Sequence, residues 1–245
     1  TWKGRSIHFH WVIYPDDDDL FGTLSKMYQE ALFIDYPALT AHQESLISLL
    51  RNSTVNINDP AGTDLTFRLE DAHFHRGNGD ASKGFINGYA RPGSARDREV
   101  ELPAGAIRTV DIADAHGQLV CANETFAGRP VGTLTYQFNG NRIIGVESQH
   151  NNDYVQAMWN LGTGDKDRIG EVNLGVSPAL TMLPGREKVI PYFGYGDGVI
   201  RISLGDNKES GGPYASSFQH WLFLTNATLT ADGRTIVRDG KLVEA

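Results

Sequence analysis

Eight histidines are the first candidates for chemistry, and four of them form two H-x-H pairs, His8/His10 and His73/His75. On a strand, residues two apart point to one face, so either pair could present two imidazoles to a divalent cation. The same spacing equally serves two half-buried histidines. There is no H-E-x-x-H, C-x-x-C, G-x-x-x-x-G-K-[ST] or G-x-S-x-G pattern. The glycine-rich stretches Gly194–Gly198 and Gly211–Gly212 do not sit between a strand and a helix, which argues against nucleotide binding. Cys121, the single cysteine, lies in a strand-like run and reads as core rather than nucleophile. One thiol excludes an internal disulfide framework and fits a reducing, cytoplasmic setting. Residue 1 is threonine. An N-terminal threonine combines a hydroxyl nucleophile with an α-amine of pKa about 8, close enough to neutrality to act as its own base. Lys3 would lower that pKa further.

The elements that must position these groups can be read from periodicity and turn chemistry. Ser6–Tyr14 alternates and is aromatic and β-branched, which predicts a strand ended by Pro15. Asp16 to Asp19 then supply an N-cap and an acidic first turn, a solvated helix start rather than a calcium site. Leu20, Leu24, Met27, Ala31 and Ile34 recur at helical spacing, and a second helix runs from Pro37 to near Asn52 with Leu46, Leu49 and Leu50 as its buried stripe. From there the chain reads as sheet. Strands are expected at Thr54–Ile57, Leu65–Leu69, Ala106–Ile112, Gly132–Phe138, Arg142–Gln149, Val199–Leu204, His220–Leu224 and Thr235–Arg238, separated by Asn-Asp-Pro, Asn-Gly-Asn and Ala-Asp-Gly turns. Asn151–Asn160 is the one further helix, and Thr228–Val243 reads as a meander. Two helices followed by a long strand-rich region predict an α+β fold with mainly antiparallel pairing, in a single catalytic domain over residues 1–245.

The chain has 245 residues, 40% of them hydrophobic and 21% charged, which is enough to close a core. With 22 basic and 30 acidic side chains, the net charge is −8. A phosphate-binding surface needs a clustered positive excess, so no nucleic-acid partner is expected. No apolar run is long enough to span a membrane.

Four segments resemble a known family when taken in order: Pro60–Phe67 (PAGTDLTF), Glu101–Ala106 (ELPAGA), Ile169–Gly175 (IGEVNLG) and Ile200–Gly205 (IRISLG), with His220 downstream. Their order and spacing are similar to the C-terminal part of the thermophilic metallo-aminopeptidases, the cobalt- or zinc-activated group of aminopeptidases T and S. A distant relative of that group is the iron enzyme 2,5-dihydroxypyridine 5,6-dioxygenase. The family's amino-terminal Rossmann-like region has no counterpart in this sequence. The resemblance implies five metal-binding positions. Here the first is Ala106 in place of a glutamate. Glu171 is retained, Arg201 stands where the family has a histidine, and His220 is retained while Leu222 replaces an aspartate. Lys208 falls where the family has a tyrosine that assists catalysis.

A dinuclear centre needs several carboxylates to offset two divalent cations. Arg201 would instead put a fixed positive charge in that place, and two like charges 4 Å apart repel by about 4 kcal/mol at an effective dielectric near 20. Arg201 is therefore expected to pair with Glu171, either as a purely structural ion pair or in a polar pocket with Lys208 and His220.

The reading that follows is a metal-independent hydrolase of amide or peptide bonds. Thr1 would be its nucleophile, freed by self-cleavage of a precursor whose upstream part persists as a companion chain. Glu171 and His220 would assist, Arg201 and Lys208 would bind a substrate carboxylate, and backbone N–H groups of Gly194–Gly198 are a candidate oxyanion hole. No cofactor is expected on this reading, and a homo-oligomer is. The alternatives are a metal-dependent aminopeptidase-like hydrolase (zinc, cobalt or iron on Glu171, His220, His73 and His75) and an Fe(II) ring-cleaving dioxygenase.

Overall fold

The structure is a computed structural model, and it describes residues 6–10, 17–82 and 99–243. Three helices and three sheets make up the described residues, and the α+β class stands. Helix α1 (Asp18–Ala31) starts where the acidic run predicts, with the Asp17 side chain accepting from the Leu20 N–H at 2.9 Å. Helix α2 (Tyr36–Leu50) is capped by Asp35 on the Ala38 N–H, with Pro37 in its first turn. Each cap satisfies one of the N–H groups that a helix start leaves unpaired. Helix α3 (Asn152–Leu161) is the third.

Strand β1 (Ser6–Phe9) pairs in parallel with β5 (Glu99–Leu102), placing His8 beside Glu101. Of the remainder of the predicted first strand, His10 is described and lies just past the end of β1, and residues 11–14 lie outside the described residues. The large sheet has eight antiparallel strands. Its order is β15 (Lys241–Leu242), β14 (Arg234–Arg238), β13 (Thr228–Ala231), β2 (Thr54–Asn58), β3 (Asp64–Arg68), β7 (Ala113–Phe126), β8 (Arg129–Asn139) and β9 (Arg142–Ser148). The smaller sheet has the order β12 (Gln219–Leu224), β11 (Ile200–Gly205), β10 (Ile169–Gly175), β6 (Ala106–Thr109) and β4 (His75–Gly77), again antiparallel throughout.

One core joins the two sheets and α2. It takes Val55, Ile57, Leu65 and Phe67 from the large sheet, Ile107, Leu174, Ile202 and Leu222 from the small one, and Leu46 and Ile47 from the helix. A second cluster seats α1, through Leu24, Tyr28 and Ala31, against Ala106, Tyr192 and Tyr195. Burying one face of a pleated sheet leaves the other face for whatever the alternate positions carry. In the small sheet that second face is polar, and it is also buried.

Candidate functional site

The register of the small sheet lines up one row of side chains. His75 on β4 sits opposite Arg108 on β6, Arg108 opposite Asn173 on β10, Asn173 opposite Arg201 on β11, and Arg201 opposite Phe223 on β12. The next row, two residues along, is Glu171, Ser203 and Trp221. Their odd-numbered neighbours share this face, while Val172, Leu174, Ile202 and Leu222 turn to the core. Arg108 and Arg201 are both 2% exposed, and Asn173 is fully buried.

A buried guanidinium must be paired and hydrogen-bonded, or its desolvation is uncompensated. Both arginines meet that demand. Arg201 donates from Nη2 to Glu171 Oε1 at 2.6 Å and from Nη1 to the Phe193 carbonyl at 3.1 Å, and its guanidinium lies 4.5 Å from the Trp221 ring centre. Ser210 donates to the other Glu171 oxygen at 2.7 Å. Arg108 reaches Glu101 Oε2 and the Tyr195 hydroxyl, each at 2.8 Å, and His75 Nδ1 at 3.0 Å. Tyr195 also donates to Glu101. Burial works against the charge on Arg108, and Glu101 beside it more than offsets this, so its pKa lies above the usual arginine range.

The segment Pro191–Tyr195 is strapped over this row one residue at a time. The Phe193 carbonyl takes Arg201, the Gly194 carbonyl takes the Asn173 amide at 3.2 Å, and the Tyr195 hydroxyl takes Arg108. Tyr192 and Phe193 both have positive φ, at 38° and 55°. Aromatic residues rarely adopt that region, so the row's hydrogen bonds hold a strained backbone in place. Gly175 allows the close approach, because a Cβ there would stand 2.1 Å from the Gly196 carbonyl oxygen. A cavity of about 20 Å³, bordered by Glu171, Ser203, Ser210 and Trp221, opens beside the Glu171 carboxylate. That is room for one water.

The structure brings Glu171 and Arg201 together, puts His75 at the far end of the same row, and keeps His220 off it. His220 is even-numbered on β12 and lies on the core face with Leu222 and Leu224, so it does not join the polar pocket with Arg201. Its Nδ1 meets the Tyr136 hydroxyl at 3.0 Å, with Phe126 and Phe218 packed against the ring. Burial pushes its pKa down to about 4. Lys208 is exposed on the loop after β11. His73 and His75 diverge: His73 is exposed and 3.3 Å from Asp111, whereas His75 is buried on Arg108. Only His75 lies on a strand, which is why the two-residue spacing does not put both on one face. Thr1 and Lys3 lie outside the described residues.

Among the described residues no group of three or more His, Cys, Asp or Glu side chains could hold a metal ion. Glu171 has both oxygens engaged, one by the Arg201 guanidinium and one by Ser210, so these residues do not fit a divalent cation. Of the groups the sequence did not single out, Arg108, Glu101 and Tyr195 matter most. Arg108 carried a readable signal, an isolated charge at an alternate position of an otherwise apolar strand, as Arg201 did.

No protein-family model matches the chain, and no curated protein matches it. Solved structures similar in fold include two that cover nearly the whole chain. The 2,5-dihydroxypyridine dioxygenase of Pseudomonas putida KT2440 superposes with a TM-score of 0.65 at 14% identity, over 98% of this chain and 72% of its own. Wild-type AmpT of Thermus thermophilus gives a TM-score of 0.60 at 16% identity, over 95% of this chain and 62% of its own. The chain therefore has the fold of a region shared by an aminopeptidase and a dioxygenase, and it spans less than two thirds of AmpT.

Proposed function

We propose that the chain is a hydrolase of amide or peptide bonds that carries no divalent metal at the sheet-face site and takes a small substrate bearing a carboxylate. The observation that carries this reading is the Arg201–Glu171 pair at 2.6 Å, which fills with a guanidinium a place where the family resemblance implies a metal ligand. The fold likeness to AmpT supports the hydrolase class, and the likeness to the dioxygenase fits a ring-cleaving enzyme as well. An Fe(II) dioxygenase needs a His/His/carboxylate set, and the described residues do not gather one. Arg201 keeps one donor, Nε, without a hydrogen-bond partner. The space of about 20 Å³ beside Glu171 admits one water to the row as it stands, so a substrate carboxylate reaches that donor only when the row opens.

In a chain processed to begin at Thr1, the nucleophile in this reading is the Thr1 hydroxyl. The hydroxyl oxygen attacks the carbonyl carbon as its proton passes to the α-amine. The C–N bond then breaks, the leaving amine takes that proton, and water hydrolyses the resulting ester to free the acid and regenerate Thr1. What motivates the assignment is residue type: a threonine at the start of a processed chain carries a hydroxyl and an α-amine on one residue.

The test is an amide-substrate panel run on the chain with Thr1 at its free N-terminus, with and without chelator. Turnover should survive chelator and Thr1→Ser and disappear in Thr1→Ala. Turnover by Thr1→Ala, or turnover that appears only after zinc, cobalt or iron is added, overturns the proposal.

A further inference from the structure

A second cavity lies at the free edge of the small sheet. Strand β12 is the last strand there, and facing it is the part of β7 that carries an irregularity. The β7–β8 pairing jumps from Cys121↔Leu134 to Glu124↔Gly132, so one extra residue sits on β7, with Asn123 at φ 57°. Such a bulge bends the strand and re-aims the side chain that follows it. Here that side chain is Glu124, which is 24% exposed. The cleft between the two strands has a volume of about 580 Å³, and Asp59, Glu124, Glu187, Lys188, Trp221 and Phe223 line it. That size suits a small organic ligand.

Its charges are not balanced from within. Asp59 turns one carboxylate oxygen to the N–H groups of Ala61, Gly62 and Thr63. Glu187 accepts from the Gly185 N–H at 2.9 Å, and Lys188 is exposed. Glu124 has one oxygen 3.3 Å from the Thr125 N–H and 4.0 Å from His220 Nε2, and its other oxygen makes no hydrogen bond. Burial pushes the Glu124 carboxyl up, and His220, held neutral by its own burial, brings no compensating charge at neutral pH. A half-buried carboxylate without a counter-ion is stabilised by any cation that reaches it. The wall beside it is aromatic: Trp221 is 37% exposed, and Phe223 stands two residues along on the same face. Aromatic faces attract cations and stack on apolar ligand surface.

We propose that this cleft binds a small aryl- or arylalkyl-ammonium, with the ammonium on the free oxygen of Glu124 and the ring against Trp221 and Phe223. This stands whether or not the row beneath Trp221 hydrolyses an amide. The test is calorimetric titration of the full chain at neutral pH with three near-isosteres: phenethylammonium, 2-phenylethanol and 3-phenylpropionate. Phenethylammonium should bind at least tenfold more tightly than the alcohol, and the anion should not bind. Glu124→Gln should erase the tenfold preference, while Glu187→Gln should leave it unchanged. Equal binding of ammonium and alcohol, or full preference in Glu124→Gln, overturns the proposal. If Glu124→Gln does not fold, Glu124→Asp, which withdraws the carboxylate by one methylene, should weaken ammonium binding severalfold, and an unchanged affinity overturns it.

Discussion

Acidification should destabilise this protein through His220, and the size of the effect can be worked out. The ring is 17% exposed, packed by Phe126 and Phe218, and touches the phenol of Tyr136. Burial keeps that phenol protonated, and it shares a hydrogen bond with Nδ1 of a neutral imidazole. The folded pKa is about 4, against 6.5 in the unfolded chain. Between those values the unfolded state binds more protons, so stability is complete above pH 6.5 and falls as pH drops toward 4. A shift of this size corresponds to about 3 kcal/mol in all, of which roughly 2.5 kcal/mol has gone at pH 4.5. Glu124 titrates in the opposite sense, because its raised carboxyl makes protonation favour the folded form. Comparison with a His220→Gln variant removes that contribution and those of other carboxylates. Urea unfolding of both proteins at pH 7.5 and pH 4.5 is the assay. Wild type should lose about 2.5 kcal/mol more than the variant between the two pH values. Parallel losses, or a His220 ring resonance that titrates near 6.5, would refute the burial argument.

Three further perturbations probe the row and the core. Glu171→Gln leaves the buried Arg201 guanidinium without its counter-charge and should cost about 3–5 kcal/mol in denaturant unfolding, whereas replacing both partners by Leu and Met should cost far less; a single variant within 1 kcal/mol of wild type would show that the pair is dispensable. Gly175→Ala would drive a Cβ into the carbonyl oxygens of Gly196 and Gly194, at 2.1 and 2.5 Å, and should lower Tm by about 5 °C or more; an unchanged Tm would mean that the Pro191–Tyr195 strap yields at no cost. Cys121 is 4% exposed and its thiol pKa is pushed well up by burial, so a thiol reagent should modify it far more slowly in the native protein than in denaturant. A rapid native reaction would show that the edge of the cleft opens.

The helices were legible because their signals are local. An acidic N-cap run for α1, a first-turn Pro37 for α2 and an apolar stripe at helical spacing in each are the whole argument; Asp17 caps the first as expected, and the Asp35 cap of the second was not read from the sequence. Most strands of the large sheet were equally legible, from alternation between turns. Strand β7 was not. Its polar residues and Gly117 break the pattern over its 14 residues, and its bulge near Asn123 shifts the parity partway along. Strands β4 and β5, at three and four residues, are too short to carry a period. The pairing of β1 with β5 joins segments some ninety residues apart, and no local pattern encodes it.

The site was half legible, and parity explains which half. Glu171 and Arg201 both occupy odd positions on adjacent strands, and the register puts them on one face within 2.6 Å. His220 was grouped with them by segment order alone. Yet the run Gln219–Leu224 places His220 in step with Leu222 and Leu224, two residues that must face the core, and a shift of one residue on a strand exchanges faces. Followed strictly, that alternation assigns His220 to the core and Trp221 and Phe223 to the polar row. Those two aromatics border both the Arg201 pair and the cleft at Glu124, so the edge strand joins the two regions through its odd positions, while its even positions hold the neutral histidine on the core side.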